Sequence, residues 1–328
     1  MTFRATEGAE PFPGYTLVKR LGTGGFGEVW HATAPGGLAK AIKIIYGGIS
    51  DARAEQELMA LARIREVRHP FLLSLDRFEA RDDQVMIVME LAEGSLLDRF
   101  EKCREAGLEG IPRGELLGYL RDAADALDYM IDQHDLQHVD IKPQNLLLLG
   151  GRIKVADFGL VKNLQGTSAS VSGGATPIYA APEVFDGKVS RSSDQYSLAI
   201  VYQEMLTGHR PFPGKSALQL AHQHINCAPF LDPLPAGDRA VLSRALSKWP
   251  NQRYASCREM VNALFLVKDQ SESEPAPRIR SLRRKRSVAA PDAEPLDAAA
   301  QAAAESGVRS TTPRRSTGAS TLTLRPTL

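Results

Sequence analysis

The twenty-two residues from His138 to Gly159 constrain this chain more than any others. They read His138-Val139-Asp140-Ile141-Lys142-Pro143-Gln144-Asn145 and, after a short apolar stretch, Val155-Ala156-Asp157-Phe158-Gly159. One loop thereby offers an aspartate, a lysine two residues on and an asparagine five residues on: a base, a cation and a metal ligand. Asp157 follows where a strand runs into a glycine. With Asn145 it makes a hard oxygen site suited to Mg2+, an ion that keeps several waters and takes its other ligands from substrate phosphates. Any one of these polar residues alone reads as a loop hydrogen-bonder. All of them in this order is not a chance pattern.

Upstream stands Gly22-Thr23-Gly24-Gly25-Phe26-Gly27, with Val29 following. In a dinucleotide fold the same spacing of glycines opens a helix whose N-terminus takes a pyrophosphate. Here Glu28–Thr33 is strand-like and runs into the turn Pro35-Gly36-Gly37, so no helix fits. A hairpin laid over a triphosphate fits better, because missing side chains let backbone N–H groups approach phosphate oxygens; a flexible hairpin without ligand is the plain alternative. Lys43 closes Ala41-Ile42-Lys43 within an apolar run, where an ammonium needs an anion beside it. Glu57 is the expected carboxylate partner, on a predicted helix bearing Ala54, Leu58, Leu61 and Ile64. Glu55 is the rival, but Leu61 and Ile64 at i+4 and i+7 continue the apolar face from Glu57.

Short β-forming runs at Tyr15–Arg20, Glu28–Thr33 and Leu38–Ile45 come first, and extended runs at Leu72–Glu79 and Gln84–Leu91 follow the predicted helix. After Gly94 the pattern turns helical, most clearly over Glu115–His134, where Leu116, Leu120, Ala123, Leu127 and Ile131 share a face. Short strands flank 138–145, and helices return from Asp194. A β-rich front on an α-rich back predicts an α+β chain of two lobes with a cleft between. Composition changes near residue 267: no Phe, Trp or Tyr follows Phe265, and Ser, Thr, Pro, Ala and Arg dominate. Such a segment buries too little apolar area to offset its ordering entropy, so 267–328 reads as a disordered tail. From Lys268 onward eleven Lys/Arg face seven Asp/Glu, a net +4; the whole chain carries +1, which leaves −3 for the first 267 residues. The tail holds the basic cluster Arg278–Arg286, read first as a solvated charge run, with an acidic partner, lipid headgroups or nucleic acid as the functional readings, and a short helix-capable stretch at Ala298–Glu305.

Cys103, Cys227 and Cys257 are far apart, an odd set that predicts reduced thiols in a cytoplasmic setting. No signal-peptide pattern or apolar run of about 18 residues is seen, so neither export nor a membrane span is expected. A net charge of +1 makes no bulk claim on nucleic acid. His222, His224 and Cys227 lack a fourth ligand and a fitting spacing, and read as surface or core residues rather than a metal site.

The glycine loop, Lys43, Glu57, the HxDxKxxN loop, Asp157-Phe158-Gly159 and Ala181-Pro182-Glu183 occur in the order of the eukaryotic-like protein kinases. Over roughly Tyr15 to Phe265 the chain resembles that superfamily, and its bacterial serine/threonine members closely. The resemblance implies a bilobal kinase fold: an extension over 1–14, a small β-rich N-lobe over about 15–91, and a larger helical C-lobe over about 93–266. It implies transfer of the ATP γ-phosphate to protein Ser or Thr hydroxyls, with Mg2+. Gly22, Thr23, Gly24, Gly25, Phe26, Gly27, Val29 and Ala41 would cover the nucleotide, with Met89 as gatekeeper and Glu90-Leu91-Ala92 as the hinge that holds adenine. Lys43 would grip the α- and β-phosphates and Glu57 would hold Lys43. Asp140 would accept the substrate proton, Asn145 and Asp157 would bind the metal, and Lys142 would neutralise the phosphoryl group in transit. Lys142 two residues after Asp140 is the serine/threonine pattern. Ala175–Glu183 resembles the substrate-docking end of the activation segment, Asp194 the buried anchor of the catalytic loop, and Arg253 the ion-pair partner of Glu183.

The chain departs from the superfamily's pattern in two places. The arginine usual before the catalytic aspartate is Val139, and the His69-Pro70 turn comes about three residues late after Glu57. A small-molecule kinase shares an Asp/Asn loop but generally lacks Lys142 with an Ala-Pro-Glu segment. A pseudokinase scaffold would be expected to lose Lys43, Asp140 or Asp157, and all stand here. Ser281, Ser287, Ser310, Thr311, Thr312, Ser316 and Thr317 in the tail make autophosphorylation an expectation, because a flexible tail can reach its own cleft.

Overall fold

Leu38–Tyr46 has the alternation that builds the first lobe: Ile42 and Ile44 point to one side, Lys43 and Ile45 to the other. In the computed structural model, which describes residues 3–24, 27–46, 63–64, 67–81, 84–158, 162–163 and 176–267, it is strand β3. Strands β1 (Thr16–Gly24), β2 (Gly27–Ala34), β3, β4 (Leu75–Arg81) and β5 (Gln84–Glu90) form one antiparallel sheet in the order β1-β2-β3-β5-β4. One face buries Leu17, Trp30, Ile42, Ile44, Met86 and Val88; the other buries Ile45, Val85 and Ile87.

Residues ahead of Tyr15 also pack on this sheet. Phe12 is buried with the first of those clusters, edge-on to Tyr15 at 5.9 Å, with the Arg77 guanidinium 4.6 Å from its ring centre. Gly8 N–H donates to the Leu17 carbonyl (2.8 Å), Leu17 N–H to Ala9 (2.9 Å), and the Gln84 amide to Phe3 (2.8 Å). The resemblance begins at Tyr15 and leaves 1–14 as an extension. Short-range bonds to Leu17 and long-range contacts with Arg77 and Gln84 hold residues 3–14.

The second lobe is helical: α1 (Leu96–Glu105), α2 (Arg113–His134), α3 (Pro182–Phe185), α4 (Ser193–Thr207), α5 (Ala217–Asn226), α6 (Ala236–Ala245) and α7 (Cys257–Leu266). Helix α2 covers the predicted Glu115–His134 and buries the expected stripe. Helix α4 is buried nearly all round, as an apolar helix at the centre of a lobe must be. Ser95 opens α1 with a capping box to Asp98, and Gly208 closes α4 in the left-handed region (φ 72°). Strand β6 (Gly94–Ser95) precedes α1, and between α2 and α3 lie the short strands β7 (Leu136–Gln137), β8 (Leu146–Leu149), β9 (Arg152–Val155) and β10 (Lys162–Asn163), paired β6-β8-β9 and β10-β7. The predicted helix over 54–64 is described only at 63–64, where it is helical. Glu55, Glu57, Gly25, Phe26, the candidate phosphoacceptors between 164 and 175, and the tail from 268 on lie outside the described residues. Among those described, no helix is long and apolar enough to cross a membrane.

Candidate active site

Between the lobes lies a cavity of about 410 Å³. Leu21, Val29 and Ala41 line it from the sheet, Met89 to Ala92 from the connection between lobes, and Leu147, Asn145 and Asp157 from the helical lobe. The glycines of the hairpin have different physical reasons. A Cβ on Gly27 would collide with the backbone carbonyl of Ile44 in the paired strand β3, whereas one on Gly22 would meet nothing within 4 Å. Gly27 is therefore required by the sheet itself, and Gly22 leaves open space. Thr23 and Gly24 pair with Glu28 and Gly27 at the tip of the hairpin.

Lys43 projects from β3, and its Nζ lies 2.8 Å from Asp157 Oδ1. The Asp157 side chain is 41% accessible and lines the cavity. Burial alone would push its carboxyl up; the Lys43 ammonium, with smaller help from Lys142 and His138, holds it below the usual carboxylate range. The carboxylate is ionised at neutral pH.

Asp140 gathers most of the remaining groups. Its Oδ2 accepts from Lys142 Nζ at 2.6 Å and from Asn145 Nδ2 at 3.1 Å; its Oδ1 accepts from the Thr176 hydroxyl at 3.0 Å and amide at 3.3 Å. Lys142 Nζ also reaches the Thr176 hydroxyl at 3.3 Å. Asn145 Nδ2 donates to the Asp140 carbonyl as well (2.8 Å), which leaves the amide oxygen as the group for a cation. Among the described residues no cluster of three or more His, Cys, Asp or Glu could hold a metal by itself. The Asn145 oxygen and the Asp157 carboxylate nevertheless both line the cavity, and this hard, sparse donor set fits Mg2+ completed by phosphate and water.

The loop is held from below. Asp194, 1% exposed at the start of α4, accepts from the backbone N–H of His138 (2.7 Å) and of Val139 (2.8 Å). Burial pushes the Asp194 carboxyl up, opposed by His138 and these two amides. The His138 ring lies between the Asp140 N–H, 3.3 Å from Nδ1, and the Ala156 carbonyl, 3.0 Å from Nε2. Val139 has φ 67°, a left-handed backbone that costs a β-branched residue more than most, and Asp157 has φ 64°. Further out, Arg253 grips Glu183 with both terminal nitrogens (2.9 and 2.7 Å) and also bonds the carbonyls of Ser192 and Ser247. Burial would raise the Glu183 carboxyl, but Arg253 and Ser190 hold it low.

Lys43, Asn145 and Asp157 thus line the cavity, as do Met89, Glu90 and Ala92 at the connection between lobes; Asp140 is tied to Asn145, and Lys142 to Asp140, by hydrogen bonds. Sequence reasoning did not assign roles to Thr176, Leu21 or Leu147. Thr176 is far from Asp140 in the chain, and its position at the head of Thr176-Pro177-Ile178-Tyr179 was its only signal. His224, weighed as a metal ligand, is fully buried, with its ring hydrogen-bonded to the Tyr196 hydroxyl (2.9 Å).

A glycine hairpin above and an Asp/Lys/Asn loop below define a phosphotransfer domain built on two lobes. The chain belongs to the protein kinase domain family, which it matches over residues 15–271. That family in general uses ATP and a divalent metal. Among curated relatives, the chain is similar to the serine/threonine-protein kinase PknF of Mycobacterium tuberculosis, at 32% identity over 277 residues, 77% of this chain and 56% of that protein. It is 33% identical over 286 residues to PknA of Corynebacterium glutamicum, 82% of this chain and 59% of that protein. It is 27% identical over 255 residues to human ULK3, 73% of this chain and 52% of that protein. The chain spans little more than half the length of these relatives.

Proposed function

We propose that the chain is a serine/threonine protein kinase that transfers the γ-phosphate of ATP to Ser or Thr hydroxyls of other proteins, with Mg2+. The observation that carries this reading is the convergence of Lys142, Asn145 and Thr176 on the Asp140 carboxylate. A substrate hydroxyl that takes the place of the Thr176 hydroxyl meets a base able to accept its proton as the new P–O bond forms and the bond from the γ-phosphorus to the bridging oxygen breaks, releasing ADP. Lys142, already beside that base, neutralises the phosphoryl group in transit. Lys43 binds the α- and β-phosphates, with Glu57 as its carboxylate partner, and the hairpin from Gly22 to Gly27 covers the triphosphate. Asn145 and Asp157 hold the metal, which supplies charge neutralisation across the phosphates. Val29, Ala41, Met89, Glu90 and Ala92 enclose adenine.

Proteins are the substrates on this reading. The tail is a second one, phosphorylated in cis at its serines and threonines, and its basic cluster meets an acidic partner. The three free cysteines and the need for ATP fit a cytoplasmic setting. The test is Asp140→Asn with radiolabelled ATP and a generic protein substrate. Turnover should fall by about 100-fold or more while nucleotide affinity stays within about threefold. Asp157→Ala should abolish the magnesium dependence of nucleotide binding. Phosphorylation surviving in the double variant would reject the assignment.

A further inference from the structure

We infer that Lys154 is a positioning residue for the nucleotide: through Glu90 it fixes the hinge against strand β9, which leads to Asp157 two residues on. The inference rests on the nucleotide site proposed above and concerns how its two ends are kept at one spacing.

Strand β9 buries Ile153 and Val155 completely in the helical lobe, so Lys154 between them emerges on the opposite face. Its ammonium lies 2.8 Å from Glu90 Oε2. Glu90 ends β5 and lines the cavity; Lys154 does not line it and acts only through Glu90. The same Glu90 oxygen accepts the Ser74 N–H at 3.0 Å, and the Glu90 N–H donates back to the Ser74 carbonyl at 3.3 Å. Segment 71–74 is in turn stitched to β9: Val155 N–H donates to Phe71 (2.8 Å) and Leu73 N–H to Val155 (2.9 Å). A closed circuit results, running from β9 through 71–74 to the hinge and back across the ion pair.

The pair is shielded, with side chains only 16% and 27% accessible, unlike the exposed bridges that contribute little. Burial works against the Glu90 carboxylate, yet Lys154, the Ser74 amide and the more distant Lys40 hold its pKa below the usual range. Asp157 is three residues beyond Lys154 on the same run. The ion pair is therefore the one side-chain hydrogen bond, among the described residues, between the adenine end of the cavity and strand β9, which leads to Asp157.

Steady-state kinetics on the full chain test this, with adenosine competition as a readout that needs no phosphate or metal. In Lys154→Met the KM for ATP and the inhibition constant of adenosine should both rise about tenfold, while kcat stays within about twofold. The double variant Lys154→Met/Glu90→Gln lacks the stranded charge and should fold well, yet keep the raised KM because the tie is still absent. Lys154→Arg should restore both constants to within about threefold. A lower melting temperature with unchanged KM and adenosine affinity would make the pair merely structural and overturn the inference. So would a loss confined to kcat. Failure of the wild-type chain to use ATP would instead strike the kinase reading, and is separately visible.

Discussion

Removal of the Asp194 carboxylate tests whether this side chain holds the catalytic loop in a backbone conformation that Val139 would not adopt alone. The carboxylate takes two buried N–H groups at 2.7 and 2.8 Å, at residues 138 and 139. A buried N–H left without its acceptor costs about 1–3 kcal/mol, so the pair together outweighs the roughly 1–3 kcal/mol that an unfavourable left-handed residue stores. In Asp194→Asn the amide replaces one acceptor with a donor, and the strain at Val139 loses its counterweight. About 2 kcal/mol set against the competent loop lowers its population about 30-fold, and kcat should fall by that factor at nearly constant ATP KM. Glycine at 139 accepts φ 67° freely. On a Val139→Gly background the same Asp194→Asn change should therefore lower kcat by no more than about threefold, whereas its cost in stability, read by urea melts, should grow because no strain is released. Equal losses of kcat on both backgrounds would refute the reasoning.

Arg253→Met should destabilise the chain by about 3–5 kcal/mol, because Glu183 would be left buried without its partner; adding Glu183→Leu should recover much of this in thermal melts, and no recovery would argue against an uncompensated charge. Burial, aided by the nearby Lys248 charge, lowers the pKa of His224 to about 3 from 6.5. The unfolded chain then binds a proton that the folded one refuses, so stability is full above pH 6.5 and declines as pH falls toward 3. Urea melts of His224→Asn between pH 7 and 4 should show a shallower decline than wild type, and parallel curves would exclude His224 as the cause. Valine at 139 offers neither charge nor donor to a phosphorylated activation segment. Phosphatase-treated enzyme, and a variant with Thr167, Ser168, Ser170 and Ser172 changed to Ala, should keep most of the wild-type rate; a tenfold drop would show that segment phosphorylation matters despite Val139.

The catalytic loop was legible because its chemistry needs several side chains from one short stretch, so order along the chain reports order in space. Asp140, Lys142 and Asn145 fall within six residues and meet directly. Lys43 was legible for another reason, an ammonium inside an apolar alternation, and the structure supplies Asp157 as an anion. Thr176 and the Lys154–Glu90 pair were not legible, since 36 and 64 residues separate the partners and no local pattern marks them. Lys154 looks like any charged residue of a half-exposed strand. Residues 3–14 read only as an extension, because a strap that crosses a sheet has no period of its own to mark its packing. Val139 was legible as a departure in residue type, but its left-handed backbone was not, as nothing in the sequence signals a β-branched residue at positive φ.

That strap has a bearing on how copies of the chain avoid one another. A sheet ends at two strands with unpaired backbone groups, which invite pairing with another molecule. Here β1 is one end, and Gly8 and Ala9 already occupy the amide and carbonyl of Leu17 on it. At the other end, β4 sets Asp76, Arg77 and Glu79 along its length and breaks register between Leu75 and Arg77. Charge and a bulge blunt one border and a few N-terminal residues close the other, so trimming the chain to Tyr15 would expose a template for strand addition and favour aggregation over catalysis.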